Sequence, residues 1–211
     1  MEILYPPRPI SKIQSHQLSS YEKSGKWVVQ RKFNGTRVVI HILPGGAVHL
    51  FNRHGEKTKQ FDLTSGLKRE ILSLQVNPHF EYWLDGELLN NKTTSPNYKG
   101  KIVLFDVLQA GKYLFGAPNL MGRLELLNHI CGNPKEKEPN LGLALRVTDS
   151  IWLAETFDSD FIGRYQDFID KDEIEGVVVK KKDSVLDNFG KKEYEIAWQI
   201  RCRKPTKNYT F

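Results

Sequence analysis

The sequence predicts an α+β fold whose sheets are largely antiparallel. Short apolar or β-rich runs dominate the chain, and the few helical stretches fall irregularly between them. A doubly wound parallel sheet would instead alternate strand and helix one for one. The third observation is local: Arg37 to Leu43 and Ala47 to Asn52 are β-rich and flank Pro44-Gly45-Gly46, a hairpin signal.

Residues 1 to 25 are rich in proline and serine and read as an extended lead-in with one short helix. Trp27 to Gln30 is a short apolar run, expected to be a buried strand that delivers Lys32. After the hairpin, residues 64 to 75 place Leu67, Ile71, Leu72 and Leu74 at helical spacing. Phe80 to Leu84 and Leu88-Leu89 read as strand on either side of Asp85-Gly86-Glu87, and Lys101 to Leu108 as a buried strand ending near Gly111. Leu120 to Ile130 is a helix closed by Gly132 and Pro134. A charged surface loop follows over Asn133 to Asn140, then a strand over Leu143 to Val147 and a helix over Asp158 to Ile169. Gly176 to Lys180 is a third buried strand, 181 to 192 a lysine-rich stretch, and Glu193 to Arg203 a terminal strand.

The 211 residues suffice for one well-filled domain or two small lobes sharing a cleft, and 1–211 is read as a single domain. With 39% hydrophobic and 27% charged residues, the chain has the balance of a soluble globular protein. No apolar run approaches the roughly 18 residues that span a membrane, and the N-terminus lacks a signal-peptide pattern. Cys131 and Cys202 lie far apart and match no zinc or redox spacing, so reduced thiols in a cytoplasmic protein are expected. The six histidines are scattered and make no zinc motif. The formal charge of +6 favours a polyanionic partner.

The most informative run is Gln30-Arg31-Lys32-Phe33-Asn34-Gly35-Thr36-Arg37. It sets one lysine at a strand-to-turn junction among cations. A lysine attacks poorly while protonated, and neighbouring positive charge with partial burial disfavours its ammonium form. Gly35 lets the backbone approach a bulky anionic ligand, and Arg37 offers a planar fork of donors for phosphate or ribose oxygens. Downstream, three apolar strands carry or abut Glu87, Phe105-Asp106 and Glu175, the last leading to Lys180-Lys181-Lys182. Reaction at an α-phosphate needs an in-line nucleophile, cationic charge on the phosphoryl oxygens and a divalent ion held by carboxylate. Magnesium commonly takes only one or two protein carboxylates, which Glu87 and Glu175 would supply. Phe105 could stack on a base.

Each string has a structural reading as well. Asp-Gly is most often a hairpin turn, Phe105 in an apolar strand is most often core, and Trp198 reads as core in either case. The acidic run Asp170-Lys171-Asp172-Glu173 reads as a solvated helix end and is assigned no role. Lysines 180 to 182, 191 and 192 read equally as a nucleic-acid-contacting rim or as solubilising charge.

In order along the chain, these motifs resemble the covalent nucleotidyltransferase superfamily of ATP-dependent DNA ligases, RNA ligases and mRNA capping enzymes. Lys32-Phe33-Asn34-Gly35-Thr36-Arg37 stands where that family has lysine-x-aspartate-glycine-x-arginine. Phe51-Asn52-Arg53 is similar to its serine-arginine element, Asp85-Gly86-Glu87-Leu88 to its third motif, and Leu104-Phe105-Asp106-Val107 to the element after it. Glu175-Gly176-Val177-Val178-Val179-Lys180 matches the fourth motif, and Trp198 to Lys204 stands at the fifth.

The resemblance implies two mainly antiparallel sheets flanked by helices around a nucleotide cleft. It implies ATP as cofactor with Mg2+ or Mn2+, and Lys32 as the residue that forms a lysyl-adenylate. Gln30 would read the adenine edge and Phe105 stack on the base. Arg37 and Arg53 would contact the nucleotide and the nucleic-acid 5′-phosphate. Glu87 would meet ribose or metal, and Glu175 the metal. Lys180, Arg201 and Arg203 would face the phosphates. The implied partner is nicked duplex DNA, or an RNA-containing duplex, bound by a monomer.

Three departures stand out. Asn34 replaces the aspartate and Asn52 the serine, while arginines 201 and 203 replace the paired lysines of the fifth motif, shifted by one position. Seven residues follow Lys204, so 1–211 is expected to hold no C-terminal OB-fold domain, leaving either a minimal catalytic domain or a function supplied by a partner. DNA nick sealing is favoured because Arg37 follows the motif glycine. RNA ligation, capping-type guanylyl transfer and a nick- or end-binding module with weak self-adenylation are the alternatives.

Overall fold

A computed structural model describes residues 3–58, 63–90, 95–111, 119–135, 142–167, 169–186 and 193–205. Among them, in chain order, run β1 (Arg8–Lys12), α1 (Leu18–Lys23), β2 (Trp27–Phe33), β3 (Thr36–Ile42), β4 (Val48–Phe51), α2 (Ser65–Leu72), β5 (Tyr82–Leu88) and β6 (Ile102–Ala110). There follow α3 (Leu120–Ile130), β7 (Leu145–Arg146), β8 (Ile151–Leu153), β9 (Thr156–Phe157), α4 (Phe161–Gln166), β10 (Ile174–Lys181) and β11 (Glu195–Arg203). A single 3-10 turn at Ser15–Gln17 leads into α1.

The strands form two sheets. One has the order β1-β11-β10-β2-β9 and the other β4-β3-β5-β6-β8-β7. Seven of the strand pairs are antiparallel, and β1–β11 and β6–β8 are parallel. Helices α2 and α3 cover the outer face of the six-stranded sheet, where Leu67, Ile71, Leu127 and Ile130 pack on Ile40, Leu84, Ile102 and Leu104. Thr64 and Asn119 cap these helices, accepting hydrogen bonds from the backbone amides of Leu67 and Gly122 at 3.1 Å each. Helices α1 and α4 back the five-stranded sheet through Leu18 and Phe161, packed with Val29, Val177, Val179 and Cys202. Full burial of each such side chain is worth about 1.5–3 kcal/mol.

Two further apolar clusters bind the sheets to one another on either flank. Phe33 and Ile174 join Val103 and Trp152 at one end, and Trp198 joins Val39, Phe51 and Trp83 at the other. The space between them is the cavity described below.

Several local expectations change. Asp85-Gly86-Glu87 is no turn: β5 runs unbroken through it, and a side chain at Gly86 would meet the Val103 carbonyl at 2.8 Å. The lead-in contains β1, paired with β11 from the far end of the chain. The helix expected over Asp158 to Ile169 shortens to α4, because Asp160 takes a left-handed conformation (φ 56°) and caps it, and Thr156–Phe157 pairs with β2 instead. The strand expected over Leu143 to Val147 reduces to β7, and β8 was not foreseen. Residues 136–140 of the expected surface loop and residues 187–192, with Lys191 and Lys192, lie outside the described residues.

Candidate active site

A cavity of about 700 Å³ opens between the sheets, within the size range of small-ligand sites. Gln30, Lys32, Arg37, Arg53, Glu87, Phe105, Glu175, Lys180, Arg201 and Arg203 all line it. Strand alternation explains much of this convergence. On β11, Gln199, Arg201 and Arg203 face the cavity, while Ile200 and Cys202 face the core behind. Opposite them, β10 and β2 bring Lys180 level with Gln199, and Val178 level with both Arg201 and Gln30.

A bulge sets the floor of the cavity. In the β2–β10 ladder Phe33 pairs with Ile174 and Lys32 with Gly176, so Glu175 is an extra residue on its strand. A bulge re-aims a side chain, and here it brings Oε2 of Glu175 to 2.6 Å from Nζ of Lys32. Nε of Arg203 lies 3.4 Å from the same oxygen. Gly176 permits the bulge: its φ is 133°, and a Cβ there would lie 2.1 Å from the Cys202 carbonyl oxygen. The expected cationic surroundings of Lys32 are corrected accordingly, because the strand register places a carboxylate against its ammonium.

Glu87 closes the other side. Its Oε1 accepts a hydrogen bond from the Gly35 amide at 3.1 Å. Burial pushes its carboxyl up to about 7, against the pull of Lys32 and Arg37. Gly35 is needed for this approach, since a Cβ would lie 2.3 Å from the Leu88 carbonyl oxygen. Arg37 does not extend freely into the space. Its guanidinium forks onto Asp85, with Nε 2.8 Å from Oδ1, and donates to the Pro7 carbonyl at 3.1 Å.

Phe105 stands between two cations, the Arg37 guanidinium 5.3 Å and the Lys180 ammonium 5.1 Å from its ring centre. Lys180 is buried and donates to the Phe105 carbonyl at 3.2 Å. Burial pushes its amine down to about 8, although Asp106 and Asp85 oppose this. Gln30 is buried, and its Nε2 donates to Thr156 at 2.8 Å. Arg53 donates to His54 at 2.9 Å, His54 contacts Glu193 at 2.5 Å, and Glu193 pairs with Arg8.

No protein-family model matches the sequence, and neither does any curated protein. Solved structures do. A mycobacterial DNA ligase D, complexed with ATP and MES, superposes with a TM-score of 0.64 at 18% identity, covering 95% of this chain and 60% of that one. The ligase domain of LigD from M. tuberculosis gives 0.62 at 18% identity, covering 93% and 58%. The ATP-dependent DNA ligase of bacteriophage T7, in complex with ATP, gives 0.56 at 13%, covering 94% and 68%. This chain has the ATP-dependent DNA ligase catalytic-domain fold. It spans about 60% of the length of the first of these ligases.

Within this ligase fold, Arg8 in the cavity wall and Thr156 behind Gln30 escaped sequence reading. Arg8 lines the cavity from β1, and no local motif marks it. Thr156 holds Gln30 from a two-residue strand. Lys204 turns away, its ammonium donating to the carbonyls of Ile169 at 2.9 Å and Lys171 at 2.6 Å. The acidic run assigned no role is structural: Glu173 is buried, and the carbonyls of Asp172 and Glu173 accept hydrogen bonds from Asn34.

Among the described residues no group of three or more His, Cys, Asp or Glu gathers into a metal cage. A cation that keeps most of its waters needs less, and Glu87 and Glu175 on adjoining walls fit that requirement. Among the described residues no helix is long and apolar enough to cross a membrane.

Proposed function

We propose that this chain is the adenylation domain of an ATP-dependent polynucleotide ligase, with DNA nick sealing favoured. The observation that carries the reading is the convergence on one cavity floor of Lys32, its 2.6 Å partner Glu175 and the buried Gln30. Gln30 would meet the adenine edge and Phe105 its face, while Lys180, Arg201 and Arg203 would neutralise the phosphates. A divalent cation held by Glu87 and Glu175 would offset charge on the phosphoryl oxygens.

In the first step the Lys32 amine attacks the α-phosphorus of ATP. A phosphorus–nitrogen bond forms, the bond to the bridging oxygen breaks, and pyrophosphate leaves. The lysine proton passes to Oε2 of Glu175, which lies 2.6 Å from Nζ. A nucleic-acid 5′-phosphate oxygen then attacks the same phosphorus and takes AMP from Lys32. A 3′-hydroxyl finally attacks the 5′-phosphorus, expelling AMP and sealing the strand.

Intact mass before and after incubation with ATP and magnesium tests the reading. A gain of roughly 330 Da that is lost in Lys32→Ala, with folding retained, supports it; a Lys32→Ala protein that still labels refutes the nucleophile. Nicked DNA and nicked RNA substrates then give the strand preference. A second reading, guanylyl transfer, rests on Gln30, because a neutral carboxamide can donate to a 6-oxopurine as readily as accept from a 6-aminopurine. Label arriving only from GTP would establish that reading in place of ligation.

A further inference from the structure

The residue that departs from the ligase motif beside the nucleophile has a contact that the motif aspartate could not make. Nδ2 of Asn34 donates to the Asp172 carbonyl at 2.9 Å, and the Asn34 amide donates to the Glu173 carbonyl at 2.8 Å. A backbone carbonyl only accepts, so the carboxamide must present its nitrogen there. An ionised aspartate would set two acceptors against each other.

The place of this contact matters more than its strength. It lies immediately beyond the Ile174–Phe33 pair, where the β2–β10 ladder ends, and Glu175 bulges out just inside that pair. Lys204 holds the same segment from the other side through the Ile169 and Lys171 carbonyls, and its amide donates to the Glu175 carbonyl at 2.8 Å. Residues 169–175 are thus fastened by Asn34 on one side and by Lys204 on the other.

We propose that Asn34 is a positioning residue: its carboxamide fastens the segment before Glu175 and thereby keeps that carboxylate aimed at Lys32. The inference rests on the ligase reading of the site. It makes restoration of the motif aspartate harmful in this chain.

Asn34→Asp and Asn34→Ala separate the possibilities when ATP affinity and single-turnover lysyl-AMP formation are measured on the full chain. Both variants are expected to bind ATP within about twofold of the native chain. Adenylation is expected to slow about tenfold in Asn34→Ala, which loses one hydrogen bond, and further, toward about a hundredfold, in Asn34→Asp, which gains a repulsion. Asn34→Asp adenylating as fast as the native chain overturns the proposal, and so does an equal loss of ATP affinity and rate in both variants. Native chain that forms no lysyl-AMP refutes the ligase reading instead. Amide hydrogen exchange at residues 34 and 176 then decides the positioning claim alone. Faster exchange in Asn34→Asp upholds it, and unchanged protection overturns it.

Discussion

The Lys32 ammonium and the Glu175 carboxylate meet at 2.6 Å, although the residues flanking Lys32 in sequence are basic or apolar. The pairing arises from the bulge on β10 and from no local feature of β2. Glu175→Gln keeps the size of the side chain while removing both its charge and its basicity. Lysyl-AMP formation is expected to fall at least about a hundredfold, within the range for removing a general base, with ATP binding changed far less. Single-turnover mass labelling checks it.

Lys180 gives the site a pH signature. Its folded-state value of about 8 lies below the ordinary 10.5, so between pH 8 and 10.5 the unfolded chain holds more protons at this position. Lys180 therefore makes stability rise with pH across that window. The stability difference between Lys180→Met and the native chain should shift on the order of 1–3 kcal/mol in the native chain's favour from pH 8 to 10.5. ATP affinity should move the other way, weakening above about pH 8 in the native chain and staying flat in Lys180→Met. Denaturant melts and equilibrium binding across pH 7 to 10.5 measure both.

Gly176→Ala tests the bulge. The added methyl would meet the Cys202 carbonyl at 2.1 Å in a backbone conformation disfavoured for side chains. A loss of about 2 kcal/mol or more in stability is expected, together with slower adenylation than the stability loss explains. Urea melts and labelling at a temperature where the variant remains folded would separate the two effects.

Arg123 is the least conspicuous structural residue. It lies in α3, fully buried, its Nε 2.9 Å from Asp106 and its Nη1 3.1 Å from the Ser184 carbonyl. Asp106 in turn adjoins Phe105. Arg123→Met strands a buried carboxylate and should cost about 3–5 kcal/mol, whereas adding Asp106→Leu should restore part of it. A double-mutant cycle by chemical denaturation reads this coupling.

Lys32, Glu87 and Glu175 were singled out in the sequence by the ordered resemblance of their motifs to the nucleotidyltransferases, and the fold brings all three to one cavity. What escaped was set by distant partners. Arg8 lies in a strand whose neighbour comes from the far end of the chain, and a proline-rich lead-in gives no sign of it. Asp-Gly in β5 looks like a turn until the close approach of β6 to Gly86 is known. Asn34 was visible as a departure, but its meaning depended on a carbonyl at Asp172. Helix α3 was read to its termini, Leu120 and Ile130, because the glycine and proline that close it are local signals.

The two sheets differ in how the chain supplies them. The six-stranded sheet is drawn from one continuous stretch, β3 to β8, while the five-stranded sheet takes β1 and β2 from the beginning and β9 to β11 from the end. Non-local pairing is the slow part of folding, so the first sheet can collapse while the second still waits for its last strands. Lys32 meets Glu175, and Arg203 beside it, only when segments far apart in sequence have paired. The cavity between the sheets is thus complete only when β11 has paired with β10 and β1.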